Sequence, residues 1–148
     1  MRNLVVAAVF CGSASLLFAG KTTVAQESSY TPATVWTITE VRTLPGQDEN
    51  YLDWLDKNWK RTQELGMKEG VVVSYHVFRV NAARRGEADL ILATEYKDYQ
   101  TTAQQKALQK KVEALFAADP HKLDTQAGER KAMREILSAT ELQELHLN

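Results

Sequence analysis

The chain has 148 residues, 44% of them hydrophobic, with 18 Lys and Arg against 19 Asp and Glu. That near-neutral, interleaved balance leaves no basic footprint for nucleic acid and no polybasic patch for a membrane surface. A single cysteine, Cys11, excludes a disulfide framework.

Residues 1–25 read as a secretory signal peptide. Arg2 is the basic start, residues 4–18 are mostly apolar, and Thr23-Val24-Ala25 is a small-residue site with cleavage after Ala25. The apolar run is shorter and more broken than the ~20 residues of a spanning helix, so an uncleaved anchor is the second choice. Ala8-Val9-Phe10 before Cys11 lacks the small residue expected beside a lipidated cysteine, which argues against a lipoprotein. Cleavage removes Arg2, Lys21 and Cys11 but no acid, leaving 16 basic and 19 acidic residues and a net charge of about −3. The mature part, about 120 residues, is the size of one domain with one core. It has no thiolate ligand and no cysteine nucleophile. The expected location is periplasmic or secreted, with no membrane association after cleavage.

Residues 26–34 are polar, contain Pro32, and read as a flexible lead. Residues 35–42, VWTITEVR, are β-branched and alternating, which predicts the first strand. Pro45-Gly46 ends it in a turn. Residues 47–67 predict one amphipathic helix with Asp48 as its N-cap. At about 100° per residue, Tyr51, Leu52, Trp54, Leu55, Trp59 and Leu65 share one face, with Asn58 and Thr62 as a polar spot near its middle. Residues 71–80, VVVSYHVFRV, form the strongest strand, and residues 88–96, ADLILATEY, the next. The connection between them is too long to fix pairing parity, so the face on which His76 lies stays open. Residues 97–117 predict a second helix with Leu108, Val112, Leu115 and Phe116 as its stripe, extended by Thr101. Asp119-Pro120 breaks it. Residues 121–128 read as loop, a short helix carries Ala132, Met133, Ile136 and Leu137, and alternation over 140–147 favours a last strand.

The order strand, helix, strand, strand, helix, strand is that of an α+β, ferredoxin-like βαββαβ domain over residues 35–148. Its four-stranded antiparallel sheet carries helices on one face only. Both faces of the 71–80 strand are apolar, so the uncovered face calls for a partner, and a homodimer with sheets face to face is the economical cover.

The element order, with the stretches YLDWLDKNWK (51–60) and GERKAMREILSATELQELHLN (128–148), resembles the dimeric α/β-barrel superfamily. The likeness is to its small exported bacterial members without an assigned activity. That resemblance implies a dimeric barrel, but it does not select a function, since the superfamily holds monooxygenases, haem enzymes, isomerases and stress proteins alike. The haem-degrading branch uses an asparagine, a tryptophan and a helix-borne axial histidine. Here His76 falls in a strand, so that triad is not carried over.

Asn58 and Thr62 have two readings. Buried polar groups are usually structural, bonded to backbone groups or a buried water. Alternatively Asn58 and Thr62 orient a small apolar or aromatic ligand in a pocket between helix and sheet, with Tyr51, Trp54 and Trp59 as walls and His76 as a further binding residue. Glu40 and Glu95 are strand carboxylates that could serve as bases inside a barrel, but the favoured reading pairs them with Arg42, Arg79 or solvent at strand ends. No Gly-rich phosphate loop or nucleophile elbow is present. His76, His121 and His146 lack ligand spacing, so no metal and no cofactor is expected. No catalytic residue is assigned, and whether the chain is an enzyme stays open. The leading reading is an exported, dimeric, ligand-binding or stress-type domain. The alternative is a cofactor-independent monooxygenase-like enzyme on an aromatic or quinol substrate, with Trp54, Trp59, Asn58 and His76 handling substrate and proton. Haem binding through His76 is the remaining reading.

Overall fold

The structure, a computed structural model, describes residues 28–81 and 83–148. The predicted signal peptide and residues 26–27 of the lead lie outside the described residues.

β-Branched residues dominate the middle of the first strand, β1 (Tyr30–Thr43). It begins well before Val35, so Tyr30 to Thr34 belong to the sheet and not to a lead. Pro32 is tolerated because β1 pairs there with the last strand alone, beside a register shift, where a missing N–H costs no ladder bond on the other side. After the Pro45-Gly46 turn comes one continuous helix in three parts: α1 (Asp48–Trp54), a π-helical turn (Leu55–Trp59) and α2 (Lys60–Lys68). Gln47, not Asp48, occupies the N-cap, without a side-chain bond. Asp48 is the first helical residue, and its carboxylate pairs with Arg79 at 2.8 Å. The helix ends on Gly70, at φ +69°. Gly70 N–H bonds to Met67 O and Val71 N–H to Gly66 O, both at 3.0 Å, the two bonds of a glycine-terminated helix end.

β2 (Val72–Arg79) and β3 (Leu90–Tyr96) follow as expected. α3 (Thr102–Phe116) starts later than predicted, because Thr101 caps it in a reciprocal box with Gln104. Thr101 is therefore a terminus signal and not part of the apolar stripe. The expected loop at 121–128 is instead α4 (Pro120–Glu129). Asp119 accepts from Lys122 N–H at 2.8 Å, and Pro120 takes the first helical position, where its missing N–H is harmless. The pair expected to stop one helix thus starts the next, while α3 itself ends at Phe116 on Ala117, at φ +46°. The expected short helix through Ile136 and Leu137 reduces to a 3-10 turn (Arg130–Ala132), and both residues belong to the long last strand, β4 (Arg134–Leu147).

The four strands are ordered β2-β3-β1-β4, and every neighbouring pair is antiparallel. This is the ferredoxin-like arrangement. Register sorts the side chains into two faces. Val41, Leu90 and Leu92 meet Tyr51 and Leu55 of the opening helix in the buried core, while α3 lies against α2, with the Arg61 guanidinium 5.0 Å from the Phe116 ring. The opposite face carries three cross-strand rows: Ser74–Glu95–Trp36–Leu142, His76–Ala93–Ile38–Thr140 and Phe78–Ile91–Glu40–Ser138. That face is uncovered, with Phe78 51% and Leu142 49% exposed.

The register settles which residues His76 accompanies: Ile91 and Ala93, on the uncovered face. The strand carboxylates also find partners other than those expected. Glu95 accepts from Ser74 Oγ at 2.6 Å and Glu40 from Ser138 Oγ at 2.9 Å. Arg42 pairs with Glu135, and Arg79 with Asp48.

Candidate functional site: a cleft between the opening helix and α3–α4

The π-helical turn decides which residues reach the cleft. Lys60 N–H bonds to Leu55 O, five residues back, so one residue more than an α-helix allows is fitted into that turn. Everything after it is rotated by roughly one residue, about 100°, relative to an unbroken helix. The buried positions of the opening helix are consequently Tyr51, Leu55, Gln63 and Gly66. Gln63, absent from the sequence-based candidates, is the polar residue that meets the sheet: Thr94 Oγ1 donates to Gln63 Oε1 at 3.4 Å, and both are buried. Asn58 and Thr62 are turned away from the sheet toward α3 and α4.

There they border a cavity of about 430 Å³, lined by Trp54, Asn58, Trp59 and Thr62 from the opening helix, by Gln109, Val112 and Phe116 of α3, by Leu123, Gln126 and Glu129 of α4, and by Arg130 and Met133. The predicted pocket between helix and sheet is therefore a cleft between helices. The two polar side chains that the opening helix contributes are also bonded along their own helix. Asn58 Nδ2 donates to Trp54 O at 3.1 Å and Thr62 Oγ1 to Asn58 O at 3.2 Å. They brace the irregular turn while one side faces the cleft.

Of the six sequence-predicted binding residues, Trp54, Asn58, Trp59 and Thr62 come together. Tyr51 does not line the cleft. It is 1% exposed and lies parallel to Trp54, ring centroids 6.1 Å apart, in the core beneath. His76 is on the other side of the sheet, with Trp36 at 6.4 Å and Phe78 at 5.6 Å between ring centroids. A site in one chain that combines Asn58 with His76 is thereby ruled out by geometry.

Sequence reasoning missed two arginines. The Arg130 guanidinium lies 4.4 Å from the Trp54 ring centroid and that of Arg134 5.5 Å from the Tyr51 ring. Burial lowers the Arg130 pKa, and repulsion by Arg134 adds to it, against a small opposing pull from Tyr51. Burial raises the Tyr51 hydroxyl above its ordinary value, opposed by Arg134 and Arg130. A second cavity, of about 610 Å³, opens on the far side of Arg130 and is bordered by Leu44, Lys131, Arg134, Glu135 and Ile136. The visible signal was the spacing Arg130-Lys131-Ala132-Met133-Arg134, which places two arginines four residues apart with Lys131 and the apolar Ala132 and Met133 between them. Among the described residues, no group of three His, Cys, Asp or Glu is placed to hold a metal, and no helix is long and apolar enough to cross a membrane.

No protein-family model and no curated protein sequence matches the chain. Among solved structures it is similar to HapK from Hahella chejuensis, at 12% identity over 77% of this chain and 95% of that one, with a TM-score of 0.49. It is also similar to a NIPSNAP family protein of unknown function from Agrobacterium tumefaciens, at 16% identity over 78% and 89%, TM-score 0.45. A dimeric ferredoxin-like protein from an uncultured marine organism shares 17% identity over 80% and 96%, TM-score 0.37. The fold assignment rests on strand order and register, not on these likenesses.

Proposed function

We propose that this chain is an exported, dimeric binding or stress-type protein whose helical cleft takes a small apolar or aromatic ligand. The cleft itself carries the reading. Its volume of about 430 Å³ falls in the range of small-molecule sites, and its lining sets Trp54, Trp59, Val112, Phe116, Leu123 and Met133 against Asn58, Thr62, Gln109, Gln126, Glu129 and Arg130, so that an apolar body and a polar group would both find contacts there. A π-helical turn at the mouth adds support, since such turns recur at functional sites. Export is supported by the basic start, apolar run and Ala25 site of residues 1–25. Dimerisation is supported by the uncovered apolar sheet face.

The test has two arms. Mass spectrometry of the exported protein is expected to find a chain beginning at Gln26. Calorimetric titration of the purified protein with 2-naphthol, 2-naphthoate and 2-naphthamide is expected to give saturable binding for at least one. Val112→Phe, which fills the cleft, is expected to weaken that binding about tenfold or more, a gap of about 1.4 kcal/mol. Binding by none of the three, or binding that Val112→Phe leaves unchanged, refutes the cleft as a ligand site.

A further inference from the structure

Arg130 and Arg134 are half-buried cations that need explaining. The Nε atom of each is sealed from solvent and has no hydrogen-bond partner. Neither side chain forms an ion pair with a carboxylate among the described residues. The nearby acids do not supply one: Glu129 lines the cleft without pairing to Arg130, and Glu135 is held by Arg42 at 3.3 Å. A buried donor without an acceptor, like a buried charge without a counter-charge, is unfavourable. Here two such groups sit close enough to repel each other. Aromatic faces cover them instead, Trp54 over Arg130 and Tyr51 over Arg134. A ring over a guanidinium covers its face and leaves the terminal Nη N–H groups, not the sealed Nε, to meet a carboxylate.

The position of Arg130 gives this a direction. It is the residue that the cleft and the second cavity share. The second cavity gathers Arg130, Lys131 and Arg134 against Glu135 alone, which Arg42 already engages.

We propose that the ligand of the cleft carries a carboxylate, gripped by Arg130 at the seam of the two cavities with Arg134 as the second cation. The aromatic or aliphatic body lies along Trp54, Trp59 and Phe116. The inference rests on the cleft being a ligand site, and it adds the chemical class: an amphipathic organic acid, not a neutral apolar molecule.

A matched pair of probes tests it. 2-Naphthoate and 2-naphthamide share size and shape and differ in charge. For the wild-type protein, calorimetry is expected to show the acid binding about tenfold or more tightly, the scale of a charge-assisted hydrogen bond. In Arg130→Gln the ratio of the two affinities is expected to fall to about one, and in Arg134→Gln to fall part of the way, with melting curves confirming that each variant is folded. The wild-type ratio needs no variant, so the test survives if either substitution unfolds the protein. Equal affinities in the wild type, or a ratio untouched by Arg130→Gln, overturn the carboxylate while leaving the cleft as a site. Binding of neither probe overturns both.

Discussion

At the scale of single residues, Tyr51 shows what a helical wheel conveys and what it hides. Its place on the apolar face was legible from spacing alone, and it is among the largest fully buried side chains. Its neighbours Arg130 and Arg134 were not legible, because they approach it from about 80 residues along the chain, through a turn whose conformation no local pattern announced. Burial also fixes its titration. The Tyr51 hydroxyl is held above its ordinary pKa by desolvation, and so is that of Tyr96, where bonds to Thr37 and Thr94 oppose the effect. An unfolded tyrosine ionises near pH 10 (about its reference value), whereas these two keep their protons to higher pH when folded. Above about pH 10 the unfolded chain therefore holds fewer protons than the native one, and stability falls as pH rises; below that both states are protonated and the contribution is fully present. The melting temperature of the wild type is expected to drop more steeply above about pH 10 than that of a Tyr51→Phe, Tyr96→Phe double variant. Parallel curves would show that these hydroxyls are not differentially protonated.

At the scale of elements, the four strands and two main helices were readable in order, because alternation and helical period are local signals. The failures share one cause: a residue type with two opposite meanings. Asp-Pro reads as a helix stop but here opens α4, and Ile136-Leu137 suits a helix stripe as well as a strand. The π-helical turn is a subtler case, since an inserted residue leaves composition unchanged and moves only the phase. It explains why Asn58 and Thr62 were assigned to the sheet side when Gln63 occupies it. Gly66 lies on that same rotated face, and a Cβ there would meet Val72 Cγ2 at 2.5 Å. Helix propensity alone favours Gly66→Ala by about 1 kcal/mol. The clash with a buried strand residue costs about 1–3 kcal/mol, so the substitution is expected to be neutral to destabilising. Urea denaturation should show an unchanged or lower midpoint with an unchanged slope, and Val72→Ala should relieve the effect of Gly66→Ala in a double-mutant cycle. A raised midpoint in the single variant would mean that the helix and β2 are less tightly apposed than described.

At the scale of the whole molecule, the uncovered sheet face is the largest unfinished business. Trp36, Ile38, Phe78, Ile91 and Leu142 stand on it among Glu40, Glu95 and their serine partners. The sequence pointed there through the doubly apolar β2, yet it was silent on which residues share the face, because that depends on registers set across long connections. Light scattering on a sizing column is expected to return a two-chain mass at micromolar concentration. Phe78→Glu, which sets a charge in an apolar row, is expected to return the mass of one chain while the isolated domain keeps its far-ultraviolet spectrum. A wild-type mass of one chain would mean that something other than a second copy covers the face.

The long β1–β4 ribbon has a consequence for how the chain reaches this state. Among the described strands, β1 comes first in the chain and lies inside the sheet, and its most extensive partner, β4, comes last. The contact is closed off by Asn148 N–H on Ser29 O at 2.9 Å. Residues 44–133, between the innermost pair Thr43 and Arg134, form a loop that must close before the sheet is complete. Pairings of such sequence separation form late and slowly. Until β4 is in place, β1 has only β3 as a partner among the described strands, so completion of the sheet waits on its most distant pairing.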